Sequence, residues 1–233
     1  GNENYHLFAV DIDGSNQKEL TPDDNVRVEI LTLLKEDKDH MVISMNKNNP
    51  QVFDPYKINI NTGEVEQLYE NKDLANPIMG YEFDKDGNLR GFMRLKDGVN
   101  TQFYYVVEPG DFQLMHTTSW YESFSIINFD YASENPHDAY VASNLESDKV
   151  KIYKYDLAKK EVIEEIFAHD EFDAGGASIS RHRNWELDYV SYNGEKGQIV
   201  PISKFYKKLH KKLSREFGDY NFYLSDRTDD ESQ

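Results

Sequence analysis

The sequence predicts an all-β chain built as a β-propeller, and three observations carry that reading. A hairpin pattern recurs four times with a period of about 48 residues. A second strand recurs in phase with it, and both alternate apolar and polar residues with period two rather than at helical spacing. Four strands per repeat of that length is the pattern of propeller blades, which stack radially because no single blade buries both of its faces.

The hairpin copies are Leu7-Phe8-Ala9-Val10-Asp11-Ile12-Asp13-Gly14 to Leu20 and Tyr56-Lys57-Ile58-Asn59-Ile60-Asn61-Thr62-Gly63 to Leu68. Two more run from Phe103-Tyr104-Tyr105-Val106-Val107-Glu108-Pro109-Gly110 to Leu114 and from Ile152-Tyr153-Lys154-Tyr155-Asp156-Leu157 to Ile166. Asp11, Asn59, Val107 and Asp156 therefore mark one position, at intervals of 48, 48 and 49 residues. The in-phase strand begins at Met41, Leu89, Ala139 and Leu187. Shorter strands at Tyr81–Asp84, Ile127–Asp130 and Ala177–Ser180 precede the last three copies.

Cut by this period, the chain is a single β-propeller stretch over 1–233, incomplete at both ends. It starts with a partial blade over 5–20, followed by full blades over 23–71, 72–119 and 120–170. A second partial blade covers 174–202, and 219–233 reads as the start of a further one. Half-blades would leave strand edges open, so the stretch reads as an excerpt forming an open arc. One segment departs from the pattern. Ser203 suits a helix N-cap, Phe205, Leu209, Leu213 and Phe217 follow at spacings of four, and Gly218 suits a stop. These residues predict an amphipathic helix inserted near 203–217.

Composition narrows the function. With 26 basic and 43 acidic residues the formal charge is −17, a surface that repels phosphate backbones, so no nucleic-acid partner is expected. No run of about 18 apolar residues is present, so no membrane span is expected. The absence of cysteine excludes disulfides and thiolate metal sites. The compartment stays open between periplasm and cytoplasm. The predicted helix runs against the general charge, with Lys204, Lys207, Lys208, Lys211, Lys212 and Arg215 against Glu216. Its basic face is either solvated or docks on acidic surface.

No constellation of catalytic residues stands out. Gly176-Ala177-Ser178-Ile179-Ser180 lacks the second glycine of a nucleophile elbow, and strand pattern follows it. Asp11-Ile12-Asp13-Gly14 and Asp84-Lys85-Asp86-Gly87 resemble calcium loops, but the twelfth positions are Pro22 and Leu95 instead of Glu. Asp-Gly between alternating strands reads better as a hairpin turn. No metal site and no cofactor is expected. Arg181-His182-Arg183 follows a strand expected near the propeller axis. This basic tripeptide is the candidate for lining a substrate channel and meeting a carboxylate, with a solvated loop as the alternative.

The blade signatures Val10-Asp11-Ile12-Asp13-Gly14, Ile60-Asn61-Thr62-Gly63-Glu64 and Tyr155-Asp156-Leu157 carry a family resemblance. The stretch Phe83-Asp84-Lys85-Asp86-Gly87-Asn88-Leu89 and the helical insertion after Ile202 add to it. Together they resemble the N-terminal propeller of serine peptidases of the prolyl oligopeptidase clan, of the bacterial dipeptidyl aminopeptidase or acylaminoacyl peptidase type. The resemblance implies a non-catalytic propeller that gates or positions peptide substrates for a C-terminal α/β-hydrolase domain of the same parent chain. The triad would belong to that domain, so no catalytic residue carries over. Glu164-Glu165 fails as a counterpart of paired glutamates that grip a peptide amino terminus, because neighbours on a strand point in opposite directions. The same strand grammar fits TolB-like propellers, which implies the alternative of a binding scaffold with no enzyme attached.

Overall fold

The computed structural model describes residues 3–218 together with Tyr220, Phe222 and Thr228. The chain forms two compact units, Gly1–Thr117 and Thr118–Gln233.

The first unit opens with a two-stranded ribbon, β1 (Phe8–Ala9) and β2 (Lys18–Glu19). Two antiparallel four-stranded meanders follow. The first comprises β3 (Val28–Leu33), β4 (His40–Asn49), β5 (Val52–Asn59) and β6 (Val65–Gln67). The second comprises β7 (Ile78–Phe83), β8 (Leu89–Lys96), β9 (Asn100–Glu108) and β10 (Asp111–Thr118). The ribbon packs on the first meander: Leu20 joins Val26, Val28, Ile43, Met45, Tyr56 and Ile58 in one buried cluster flanked by Leu7 and Ala9. Each such aliphatic side chain removed from water contributes about 1.5–3 kcal/mol.

The second unit holds the meander β11 (Phe124–Phe129), β12 (Asp138–Ser143), β13 (Lys151–Asp156) and β14 (Glu161–Phe167). Three more strands follow, β15 (Ala174–Ser180), β16 (Glu186–Asn193) and β17 (Gly197–Pro201). Its core is built on the middle strands, with Ala139, Val141, Ile152 and Val190 fully buried, together with Leu157 just past the end of β13. The β-propeller architecture expected from the repeat is thus present, with four-stranded antiparallel blades. Among the described residues, no helix is long and apolar enough to cross a membrane.

Strand β3, the edge strand that opens its meander, is one that the sequence pattern does not single out. Ile30, Leu31 and Leu33 are all exposed, and a bulge between Ile30 and Thr32 breaks the alternation that would mark it. Both Asp-Gly segments are turns. Gly14 and Gly87 have φ of +84° and +81°, and each donates its N–H to the carbonyl of Asp11 or Asp84. The Asp84 carboxylate is occupied by the N–H groups of Asp86 and Asn88 at 3.1 and 2.9 Å. Gly91 serves packing instead: a Cβ there would lie 2.6 Å from the carbonyl oxygen of Tyr104.

The inserted helix is α1 (Lys204–Phe217), with Ser203 accepting from the N–H of Tyr206 as its N-cap. Its buried stripe differs from the expected one. Tyr206 is 1% exposed and Leu209 and Leu213 are half-buried, whereas Phe205 and Phe217 are 48% and 42% exposed. Residues four apart drift by about 40° around a helix per step, so the four phenylalanine and leucine positions do not share one line. Gly218 ends the helix at φ −59°, not in the left-handed form that a glycine stop usually takes. The start of a further blade expected over 219–233 lies outside the described residues, apart from Tyr220, Phe222 and Thr228.

Candidate functional site

The basic tripeptide lies in the turn 181–185 between β15 and β16, at the end of the second unit where α1 begins. The turn is tightly wound, with Asn184 and Trp185 both in the left-handed region at φ 52° and 59°. Such a conformation is costly for a bulky residue and persists only when its surroundings hold it. Here the Trp185 ring packs on Tyr131, with centroids 4.4 Å apart.

The three residues have different surroundings. Arg183 turns inward: one guanidinium nitrogen donates to both oxygens of Asp188 at 2.5 and 2.6 Å, and Nε faces Glu186 at 3.5 Å. Its guanidinium also lies 4.0 Å over the Phe205 ring. His182 is exposed, and Arg181 is half-buried.

Asp188 is the centre of this arrangement and is 1% exposed. Its carboxylate also accepts from the Ser203 hydroxyl at 2.8 Å, and its carbonyl accepts the N–H groups of Ile202 and Ser203. The same Ser203 oxygen accepts from Tyr206 N–H at 2.9 Å, and the Tyr206 ring packs 4.5 Å from Tyr189. One buried carboxylate therefore joins the turn, the strand β16 and the first turn of α1. A buried acid survives only when its charge is met in this way.

The neighbouring turn 130–137 is braced by a second set of acids. Lys154 donates to Asp130 at 2.7 Å, and Asn135 bridges Asp138 and Asp156 at 2.7 and 3.0 Å. Ser133 donates to Asp138 at 2.6 Å, and Lys159 to Asp156 at 2.8 Å. Although burial opposes its charge, the bond to Asp130 holds the Lys154 ammonium above its ordinary range. For Asp156 the order is similar: burial opposes, but the Lys159 hydrogen bonds prevail and lower its carboxyl. Every carboxylate here is occupied in holding the turn.

The first unit offers two features of its own. Glu82, on the edge strand β7, is pushed up to about 7 by burial alone. A cavity of about 480 Å³ lies among Leu68, Leu89, Arg90, Val106, Pro109 and Phe112, with Asp84 beside Arg90 at 3.6 Å. Its wall is mainly aliphatic and aromatic, with one ion pair at the edge, which suits an apolar side chain better than an ion.

The remaining sequence candidates sit in ordinary strand positions. Ser178 lies within β15 opposite Tyr189. Glu164 and Glu165 lie on β14 opposite Lys154 and Tyr153, and Glu165 pairs with Lys151 at 2.9 Å. Among the described residues, no three His, Asp or Glu side chains converge as metal ligands. Asp188 and Glu82 escape sequence reasoning, yet each carries a faint signal. Both are acids flanked by large apolar residues inside a strand, as Leu187-Asp188-Tyr189 and Tyr81-Glu82-Phe83.

No family model matches the chain. It is 30% identical over 90 residues to dipeptidyl aminopeptidase BIII of Pseudoxanthomonas mexicana, covering 39% of this chain and 13% of that protein. TolB from Acinetobacter baumannii is similar in structure, with a TM-score of 0.51 at 13% identity, over 86% of this chain and 50% of TolB. An oligogalacturonate lyase from Vibrio parahaemolyticus aligns at a TM-score of 0.45 and 15% identity, over 81% of this chain and 52% of the lyase. The chain thus spans about an eighth of the length of its sequence relative and half that of TolB. The chain is a β-propeller similar in fold to TolB and similar in sequence over 90 residues to a dipeptidyl aminopeptidase.

Proposed function

We propose that this propeller gates and positions peptide substrates for an α/β-hydrolase serine peptidase domain of the same parent chain. The observation that carries the reading is the 90-residue similarity to a dipeptidyl aminopeptidase, in a chain whose repeats form propeller blades. In this reading the propeller supplies no nucleophile. It supplies a rigid frame through which peptides pass, and the turn 181–185 is its substrate-facing element. Arg181 and exposed His182 meet the peptide, with a carboxylate terminus as the matching group. Arg183 is a positioning residue, since Asp188 holds its guanidinium. The exposed lysines of α1 form the face that docks on the acidic surface of the hydrolase domain.

The test uses the parent polypeptide and a serine-directed fluorophosphonate probe. The reading expects covalent label on a serine outside residues 1–233, and no turnover of dipeptidyl chromogenic substrates by this chain alone. In the parent, His182→Ala should raise KM for short peptides more than it lowers kcat. A parent polypeptide that takes no label would overturn the peptidase reading in favour of a binding scaffold of TolB-like form.

A further inference from the structure

At the opposite end of the second unit, the turn 119–123 presents two aromatic side chains to solvent. Trp120 is 83% and Tyr121 64% exposed, and their rings meet edge to face with centroids 5.5 Å apart. Exposure of this degree is unusual for the two residue types that most often anchor protein interfaces.

The turn beneath them is rigid. Glu122 accepts from both the N–H and the hydroxyl of Ser119, at 2.9 and 2.6 Å, and donates its own N–H back to the Ser119 carbonyl. Asn144 then clamps the turn from the next loop. Its side chain donates to the Tyr121 carbonyl at 2.9 Å and accepts from Ser123 N–H at 2.7 Å. The aromatic pair is therefore held in place before any partner arrives, which lowers the ordering cost of binding.

The same hydrogen bonds place the pair in an acidic setting. Asn144 opens the loop 144–150, and Val150 N–H donates to Asp173 at 2.7 Å, which ties in the loop 168–173. These three loops carry Glu122, Glu146, Asp148, Asp170, Glu171 and Asp173 against a single cation, Lys149. Lys149 is paired with Asp148 at 2.8 Å. The Glu122 carboxyl is held below its ordinary range by the Ser119 bonds, so it stays charged. Two electron-rich ring faces beside an excess of carboxylates match a cation that is also partly apolar, which is the chemistry of arginine and lysine side chains.

We infer that the turn 119–123, with Trp120 and Tyr121 as anchors, is a docking site for a basic peptide segment of a partner protein. Guanidinium or ammonium groups stack on the rings, and the carboxylates of the flanking loops set the sign of the partner and hasten encounter. The site stands apart from the peptidase reading, because it uses none of the residues assigned to it.

The experiment measures fluorescence anisotropy of tagged twelve-residue peptides of repeating Arg-Gly-Ser, Gln-Gly-Ser and Glu-Gly-Ser titrated with this chain. The arginine peptide should bind saturably, and the other two should not. Trp120→Ala and Tyr121→Ala should each weaken it by about fivefold or more, with the circular dichroism spectrum unchanged. Raising the salt from 50 to 300 mM should weaken it further, and Asp170→Asn with Glu171→Gln should flatten that dependence. Arginine-peptide binding that is unchanged in Trp120→Ala would reduce the effect to the general acidity of the chain and overturn the inference. Equal binding of the glutamine peptide would overturn it as well, as would no binding of any peptide.

Discussion

Replacing Asp188 by alanine should unfasten α1 from the propeller, and the cost can be worked from its contacts. The carboxylate holds Arg183 Nη2 at 2.5 and 2.6 Å and Ser203 Oγ at 2.8 Å. Removing one partner of a fully buried ion pair costs about 3–5 kcal/mol. The Arg183 side chain is 24% exposed, so water recovers part of its charge and the figure falls to the lower limit. Ser203 loses its support from behind but keeps its N-cap bond to Tyr206, whose own loss in Ser203→Ala costs about 1 kcal/mol. About 3 kcal/mol is expected for Asp188→Ala. Asp188→Asn retains one acceptor and should cost about 1–2 kcal/mol. Urea unfolding gives the totals, and hydrogen exchange of the α1 amides locates the loss. In a double-mutant cycle, Arg183→Met with Asp188→Ala should be less costly than the two single changes added together. Loss of less than about 1 kcal/mol in Asp188→Ala, or α1 amides that exchange as in the unsubstituted chain, would refute the reasoning.

Glu82 should make the first unit pH-sensitive in a defined direction. Its folded pKa of about 7 lies above the ordinary 4.5, so the folded chain holds the proton more tightly. Stability should therefore fall as pH rises from about 4.5 to about 7 and level off above, by up to about 3 kcal/mol. Glu82→Gln should stabilise the chain at pH 8 and leave it almost unchanged at pH 4.5. A parallel offset at both values in urea titrations would contradict this. Gly91→Ala should cost about 2–4 kcal/mol, because its Cβ meets a backbone carbonyl that the β8–β9 ladder holds in place. An unchanged urea midpoint would show that the ladder yields there.

The blades were legible in the sequence because the second strand of each repeat carries buried apolar residues that recur at nearly the same interval. Ile43 and Val141 each stand two residues after the strand starts Met41 and Ala139, Val190 stands three after Leu187, and all three are fully buried. The edge strands follow no such rule. In β3 three apolar residues face water beside a bulge, so burial does not impose a pattern there. The helix was legible from Ser203, a local cap, but its buried stripe was not. Tyr206 faces Tyr189 of another strand, and only the tertiary packing decides which of two phases turns inward. The same limit applied to the site. Arg181-His182-Arg183 stood out as a run of charge, yet its partner Asp188 is an isolated acid in an apolar strand. The pairing depends on the turn that carries Arg183 back over β16.

The peptidase reading is tested most directly by fluorophosphonate labelling of the parent polypeptide, followed by mass spectrometric mapping of the modified serine. The account predicts one labelled serine outside residues 1–233, with loss of dipeptidyl substrate turnover in proportion to labelling. Label on a serine within residues 1–233, or turnover that survives complete labelling, would contradict it.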